Sequence, residues 1–174
     1  MVLSSVASGL VSLAMLSAPG SQAPAPAPSK PAATQSKPAA AQSKPAGAAR
    51  TVEIAGGDDM KYSVTNIDAK PGETLKIRLV SKGTLPKVAM AHNVVVLKSG
   101  AKQLDFVNAA AMARATDFIP ADMKDQVLAA STLAGPGETV EVTFKVPTAP
   151  GTLPYLCTFP GHFAAGMKGT ITVK

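Results

Sequence analysis

The chain has 174 residues, 46% of them hydrophobic, which is enough for a buried core and for two domains at most. A single cysteine excludes an internal disulfide, a four-cysteine zinc site and a CxxC redox pair. The net charge of +6 is unevenly placed: Lys30, Lys37, Lys44 and Arg50 stand in an acid-free first fifty residues, while from Thr51 onward thirteen basic residues face eleven acidic ones, so no nucleic-acid partner is expected.

Residues 1–20 begin with small and apolar side chains from Val2 to Ala18 and end on Ala18-Pro19-Gly20. They resemble the hydrophobic part of an export signal with its small-residue exit, although no Lys or Arg precedes the apolar run. A retained N-terminal anchor, and with it a membrane tether, is the alternative. The stretch is short and serine-interrupted for a spanning helix. An exported location, periplasmic or on the outer face of a membrane, is expected. Residues 21–50 are rich in Ala, Pro, Ser and Lys and lack large apolar residues; Ser29-Lys30-Pro31-Ala32-Ala33 recurs at Ser36 and, with Gly47 at its end, at Ser43. A proline in every seven-residue repeat and the lack of an apolar seam exclude a coiled coil, so this segment reads as a disordered, polyproline-like linker.

From Thr51 to Lys174 the pattern is that of short strands. Leu75-Lys76-Ile77-Arg78-Leu79 and Val140-Glu141-Val142-Thr143-Phe144-Lys145-Val146 alternate with period two, each behind a Pro-Gly-Glu-Thr turn. Val52–Ala55, Tyr62–Ile67, Asn93–Leu97, Thr152–Thr158 and Gly169–Lys174 are further strand candidates. Between Gln103 and Ser131 the chain turns Ala- and Met-rich. Phe106, Ala109, Ala110 and Ala113 predict a short amphipathic helix, Pro120 ends that region, and a second helical turn is expected over Ala121–Leu128. The fold class is all-β, a two-sheet sandwich with one helical insertion behind the disordered tail.

The chemistry-bearing residues are few. The histidines are His92 and His162 alone, and the cysteine, Cys157, shares a loop with His162 and Met167. A lone buried Cys, a lone His or a core Met is each more often structural than ligating. Their joint placement points instead to a metal: two imidazoles and a thiolate with a weak thioether suit copper cycling between Cu(I) and Cu(II). Zinc more often takes four firm ligands or a carboxylate, and no acid lies in this loop. An enzyme using Cys157 as nucleophile and His162 as base is disfavoured, because no third acid stands nearby to orient the pair.

Cys157-Thr158-Phe159-Pro160-Gly161-His162, followed by Met167-Lys168-Gly169-Thr170, resembles the copper loop of azurin, a cupredoxin. Leu85-Pro86-Lys87-Val88-Ala89-Met90-Ala91-His92-Asn93 is similar to the azurin segment carrying the first histidine. The resemblance spans 51–174 and implies a cupredoxin-like, eight-stranded Greek-key β-sandwich. It implies a type 1 copper ion held by His92, Cys157, His162 and, axially, Met167, with the Ala91 carbonyl as a weak further approach. It also implies that the amides of Asn93 and Phe159 donate to the Cys157 sulfur and that the Asn93 side chain ties the two ligand segments together. The chain departs from azurin in lacking a second cysteine, in Ala91 where Gly is typical, in Val94 where a Trp is often found, and in one extra residue between His162 and Met167. That longer interval is closer to plastocyanin and auracyanin, and predicts a four-coordinate site with the Ala91 oxygen outside bonding range.

The function expected is therefore electron transfer, not catalysis, by a monomer serving redox proteins such as cytochromes or copper/haem oxidoreductases. An edge of His162 is expected at the surface, within an apolar docking patch of Pro160, Gly161, Phe163, Ala164 and Ala165 completed by Leu85, Pro86 and Met90. A copper carrier or buffer is the rival reading, and a tail without His argues against it.

Overall fold

A computed structural model describes residues 48–174; the export-signal segment 1–20 and most of the linker 21–50 lie outside the described residues. Among the described residues, eight strands form two sheets. β1 (Arg50–Gly56), β3 (Thr74–Ser81) and β6 (Thr139–Lys145) make one, in the order β1-β3-β6. The other runs β2 (Asn66–Ala69), β8 (Lys168–Val173), β7 (Gly151–Leu156), β4 (Val95–Leu97) and β5 (Val127–Ala130). The pairs β1–β3 and β2–β8 are parallel and the others antiparallel, so both sheets are mixed.

The period-two strands behave as their sequence dictates. In β3, Leu75, Ile77 and Leu79 are fully buried, and Leu75 and Ile77 stand opposite Phe144 and Val142 of β6. Each such side chain contributes about 1.5–3 kcal/mol of burial. The outward residues of these strands pair by charge: Lys76 and Arg78 reach Glu141, and Arg78 also reaches Glu53 of β1. From the second sheet Val96, Leu153, Tyr155, Ile171 and Val173 join the same core, which extends to Cys157 and Met167.

Several boundaries differ from the sequence-based expectation. β1 begins at Arg50, ahead of Val52, because the Arg50 guanidinium clasps both carboxylate oxygens of Glu73. The strand expected over Tyr62–Ile67 lies at Asn66–Ala69; Tyr62 makes only an isolated bridge to Gly56, and its hydroxyl is drawn inward to the carbonyl of Asn93. β4 starts at Val95 rather than Asn93, since His92 bridges to Ala134 and Asn93 spends its side chain on another loop. β7 ends at Leu156, leaving Cys157 just beyond the strand.

The helix α1 (Gln103–Ala110) buries Phe106 and Ala110, with Ala109 half-buried and Ala113 beyond its end. Phe106 covers a second small core with Val95, Leu97 and Leu156. The helical turn expected over Ala121–Leu128 is a pair of 3-10 turns over Ala121–Gln126, after which Val127 and Leu128 enter β5. The open backbone edge of β4 outweighs the local helical pattern there, because each buried N–H and C=O must find a partner. A second helix, α2 (His162–Ala165), was not legible as a helix; it is one turn long, between Gly161 at φ 86° and Gly166 at φ 107°. Left-handed backbone at both ends is available to glycine at little cost, so these two residues start and stop the turn.

Candidate metal centre

The end of the core where the ligand loop meets the 91–94 segment brings three donors together. His92 Nδ1 lies 3.2 Å from His162 Nδ1, and Cys157 Sγ lies 3.5 Å from His162 Nδ1. The ligand atoms of His92, Cys157 and His162 all fall within 4.8 Å of one another. All three residues are buried, as is Met167. Each is placed by backbone. His92 exchanges two hydrogen bonds with Ala134, Cys157 N–H donates to Met167 O, and Met167 N–H donates to His162 O, closing the α2 turn.

Asn93 cross-links the two segments. Its Nδ2 donates to Thr158 Oγ1 at 2.8 Å, and Thr158 N–H donates back to Asn93 Oδ1 at 2.9 Å. Tyr62 Oη donates to the Asn93 backbone carbonyl, so partners from two other segments hold this one buried residue. Val94 N–H is satisfied by Ser131 Oγ at 2.9 Å. The Ala91 carbonyl oxygen stands 4.0 Å from Cys157 Sγ.

Burial sets the electrostatics. It pushes the Cys157 thiol up to about 11, while the amides of Asn93 and Phe159, donating to the sulfur, pull the other way. Burial lowers His162 to about 4, helped by the neighbouring His92, and lowers His92 as well against the attraction of Asp58 and Asp59. Both imidazoles are therefore neutral at physiological pH, and ionising the Cys157 thiol calls for a cation beside it.

These groups fit a metal ion. Two imidazole nitrogens 3.2 Å apart either share one proton or face a common ion, and the Cys157 sulfur 3.5 Å from the second of them makes the three a ready ligand set. A set of two nitrogens and one thiolate, with a thioether packed nearby and no carboxylate in the cluster, matches a soft, redox-active ion better than zinc.

A family model described as copper binding proteins of the plastocyanin/azurin family matches residues 48–174. The chain belongs to the plastocyanin/azurin family, and copper is its cofactor. Auracyanin-B of Chloroflexus aurantiacus is 37% identical over 127 residues, covering 72% of this chain and 52% of the relative, so the chain spans about half of that relative's length. Azurin of Alcaligenes faecalis is 36% identical over 123 residues, covering 69% of this chain and 94% of the relative. Dithionite-reduced auracyanin from Roseiflexus castenholzii superposes with a TM-score of 0.65 at 36% identity, covering 74% of this chain and 99% of that one. The fold is thus the cupredoxin sandwich.

The surface around the site is less uniform than the sequence implied. His162 is only 1% exposed, so its edge is covered rather than presented; the Phe159 ring lies 4.8 Å from it, and Phe118 packs edge-on against Phe159 at 5.2 Å. Leu85, Pro86, Pro160, Gly161 and Ala164 are exposed, and Met90 and Ala165 half-buried. Phe163 points toward the α1 side, where it packs on the Phe106 core with Lys168 Nζ 4.3 Å above its ring. Lys61 Nζ donates to the Ala165 carbonyl at 2.8 Å. The apolar patch is therefore flanked by two lysines. A depression of about 580 Å³ beside it, lined by Val88, Ala89, Phe118, Leu133, Phe159 and Pro160 among others, joins the first ligand segment to the second.

Sequence reasoning missed Thr158, Tyr62, Ser131 and Phe118 as supports of the site. Thr158 carried a signal, as a polar residue next to the ligand cysteine; the others come from distant positions and carried none.

Proposed function

We propose that the chain is an exported single-electron carrier, working between redox proteins such as cytochromes or copper/haem oxidoreductases and holding one copper ion through His92 Nδ1, His162 Nδ1, Cys157 Sγ and, more weakly, Met167 Sδ. Bound there, copper supplies the Cu(I)/Cu(II) couple. One observation carries the reading: two imidazole nitrogens and a thiol sulfur converge within 4.8 Å inside the sandwich, in a cluster without a carboxylate to orient or activate them. The chain's own contribution is to hold the donors still. The Asn93–Thr158 pair locks the two ligand segments, the amides of Asn93 and Phe159 stabilise the thiolate, and burial keeps both imidazoles neutral and water away. A site that does not rearrange between oxidation states exchanges electrons with little reorganisation. The burial of all four donors argues against the copper-buffer reading, which needs copper to leave readily.

Export rests on the 1–20 segment; no helix among the described residues is long and apolar enough to cross a membrane. Adding Cu(II) to the purified protein is expected to produce an intense visible thiolate-to-copper band. Cys157→Ser is expected to abolish that band while the far-UV spectrum of the sandwich persists. A variant that stays blue would overturn the ligand assignment.

A further inference from the structure

Gly56 is the last residue of β1, in the sheet that supplies none of the cluster residues. It is buried, its backbone is not left-handed, and nothing in its conformation calls for glycine. Its surroundings do. A Cβ built on Gly56 meets Met167 Cε at 2.5 Å, Leu79 Cδ1 at 3.5 Å and His92 Cδ2 at 3.6 Å. The last two are ordinary contacts and the first is an overlap, so the Met167 methyl fills the space that any other residue's Cβ would take. Met167 is fully buried. Its thioether is flexible where its backbone is fixed by hydrogen bonds to Cys157 and His162, so a side chain at 56 would turn the thioether rather than move the loop.

We infer that Gly56 is a positioning residue for the Met167 thioether: the missing side chain at the end of β1 leaves the room that the Met167 methyl fills, and this sets where the sulfur stands relative to His92, Cys157 and His162. The inference rests on the proposed reading of Met167 as the weak ligand. It makes the opposite sheet a determinant of the site's redox behaviour, because a weak axial ligand tunes the potential of such centres.

The test is Gly56→Ala, with Met167→Ala and the double variant, in the full chain. In copper-free protein carrying labelled methionine methyls, the Met167 resonance, assigned by its loss in Met167→Ala, is expected to shift in Gly56→Ala. In the copper-loaded protein the higher-energy visible band is expected to weaken relative to the main one, and the reduction potential to rise. Both changes are expected to vanish when Gly56→Ala is made in the Met167→Ala background, where no methyl remains to displace. Should Gly56→Ala alone not fold, Met167→Ala must restore folding, and failure of that rescue overturns the inference. An unmoved methyl resonance overturns the role of Gly56 while leaving Met167 as ligand to be judged by the potential of Met167→Ala. A shifted methyl with unchanged spectrum and potential overturns both together. A spectral change that survives in the double variant assigns the effect to His92 and overturns the inference as well.

Discussion

At the scale of single residues, the pair Asn93 and Thr158 shows how a buried polar contact can decide a metal site. Asn93 is fully buried and Thr158 is 2% exposed, yet their two reciprocal hydrogen bonds leave neither side chain wanting a partner. Thr158→Val keeps the volume and the backbone N–H but deprives Asn93 Nδ2 of its acceptor. The cost of that orphaned donor is about 1–3 kcal/mol. Urea denaturation of the copper-free protein is expected to show a lowered midpoint with an unchanged slope, and copper is expected to dissociate faster, because the two ligand segments are no longer tied. Equal midpoints for variant and parent would mean that the pair is not a structural lock. This pair also marks a limit of sequence reading. Asn93 was singled out through the resemblance, whereas Thr158, 65 positions away, becomes its partner only through the fold.

At the scale of elements, α2 is the informative one. It is a single turn, yet it carries His162 inward and turns Ala164 outward, and its two flanking glycines fix where it begins and ends. Ala164 is exposed, so a lysine there can extend into solvent and is expected to leave the metal environment intact. If partners dock on this surface through apolar contact, Ala164→Lys is expected to slow electron transfer to a partner by roughly tenfold, the equivalent of about 1.4 kcal/mol of docking energy. The visible spectrum and potential should stay as in the parent. Stopped-flow rates with a cytochrome, taken at two salt concentrations, distinguish lost apolar contact from simple charge repulsion, since only the latter is screened. Unchanged rates would remove α2 from the docking surface. The β4 edge offers the complementary lesson. Ala121–Leu128 reads locally as helical, but Val127–Ala130 is recruited as a strand because β4 needs a neighbour on its far side.

At the scale of the whole molecule, a chain with one cysteine has no internal disulfide, a constraint worth about 2–4 kcal/mol where it is present. Copper that binds the native state selectively would offset this. At a free copper concentration 100-fold above Kd the folded state gains about 2.7 kcal/mol. Calorimetric melts of copper-loaded and copper-free protein are therefore expected to differ by several degrees, with the difference growing as free copper rises. Melts that coincide would show that the folded chain without copper is no weaker than with it.

The sequence by itself determined the fold class, because period-two alternation behind Pro-Gly turns is a local signal that any sandwich must obey. It also determined the metal chemistry, because a chain with one cysteine and two histidines has few ways to arrange a thiolate beside imidazoles. Strand limits, the extent of β5 and the existence of α2 were decided by pairing edges and by left-handed glycines, which local patterns do not register. Only the tertiary structure decided how the site is packed. That Phe118 packs on the Phe159 ring beside His162, and that Gly56 of the far sheet leaves the space the Met167 methyl fills, depends on contacts between residues dozens of positions apart. Such contacts arise when two sheets close on one core, and no local pattern in the chain encodes them.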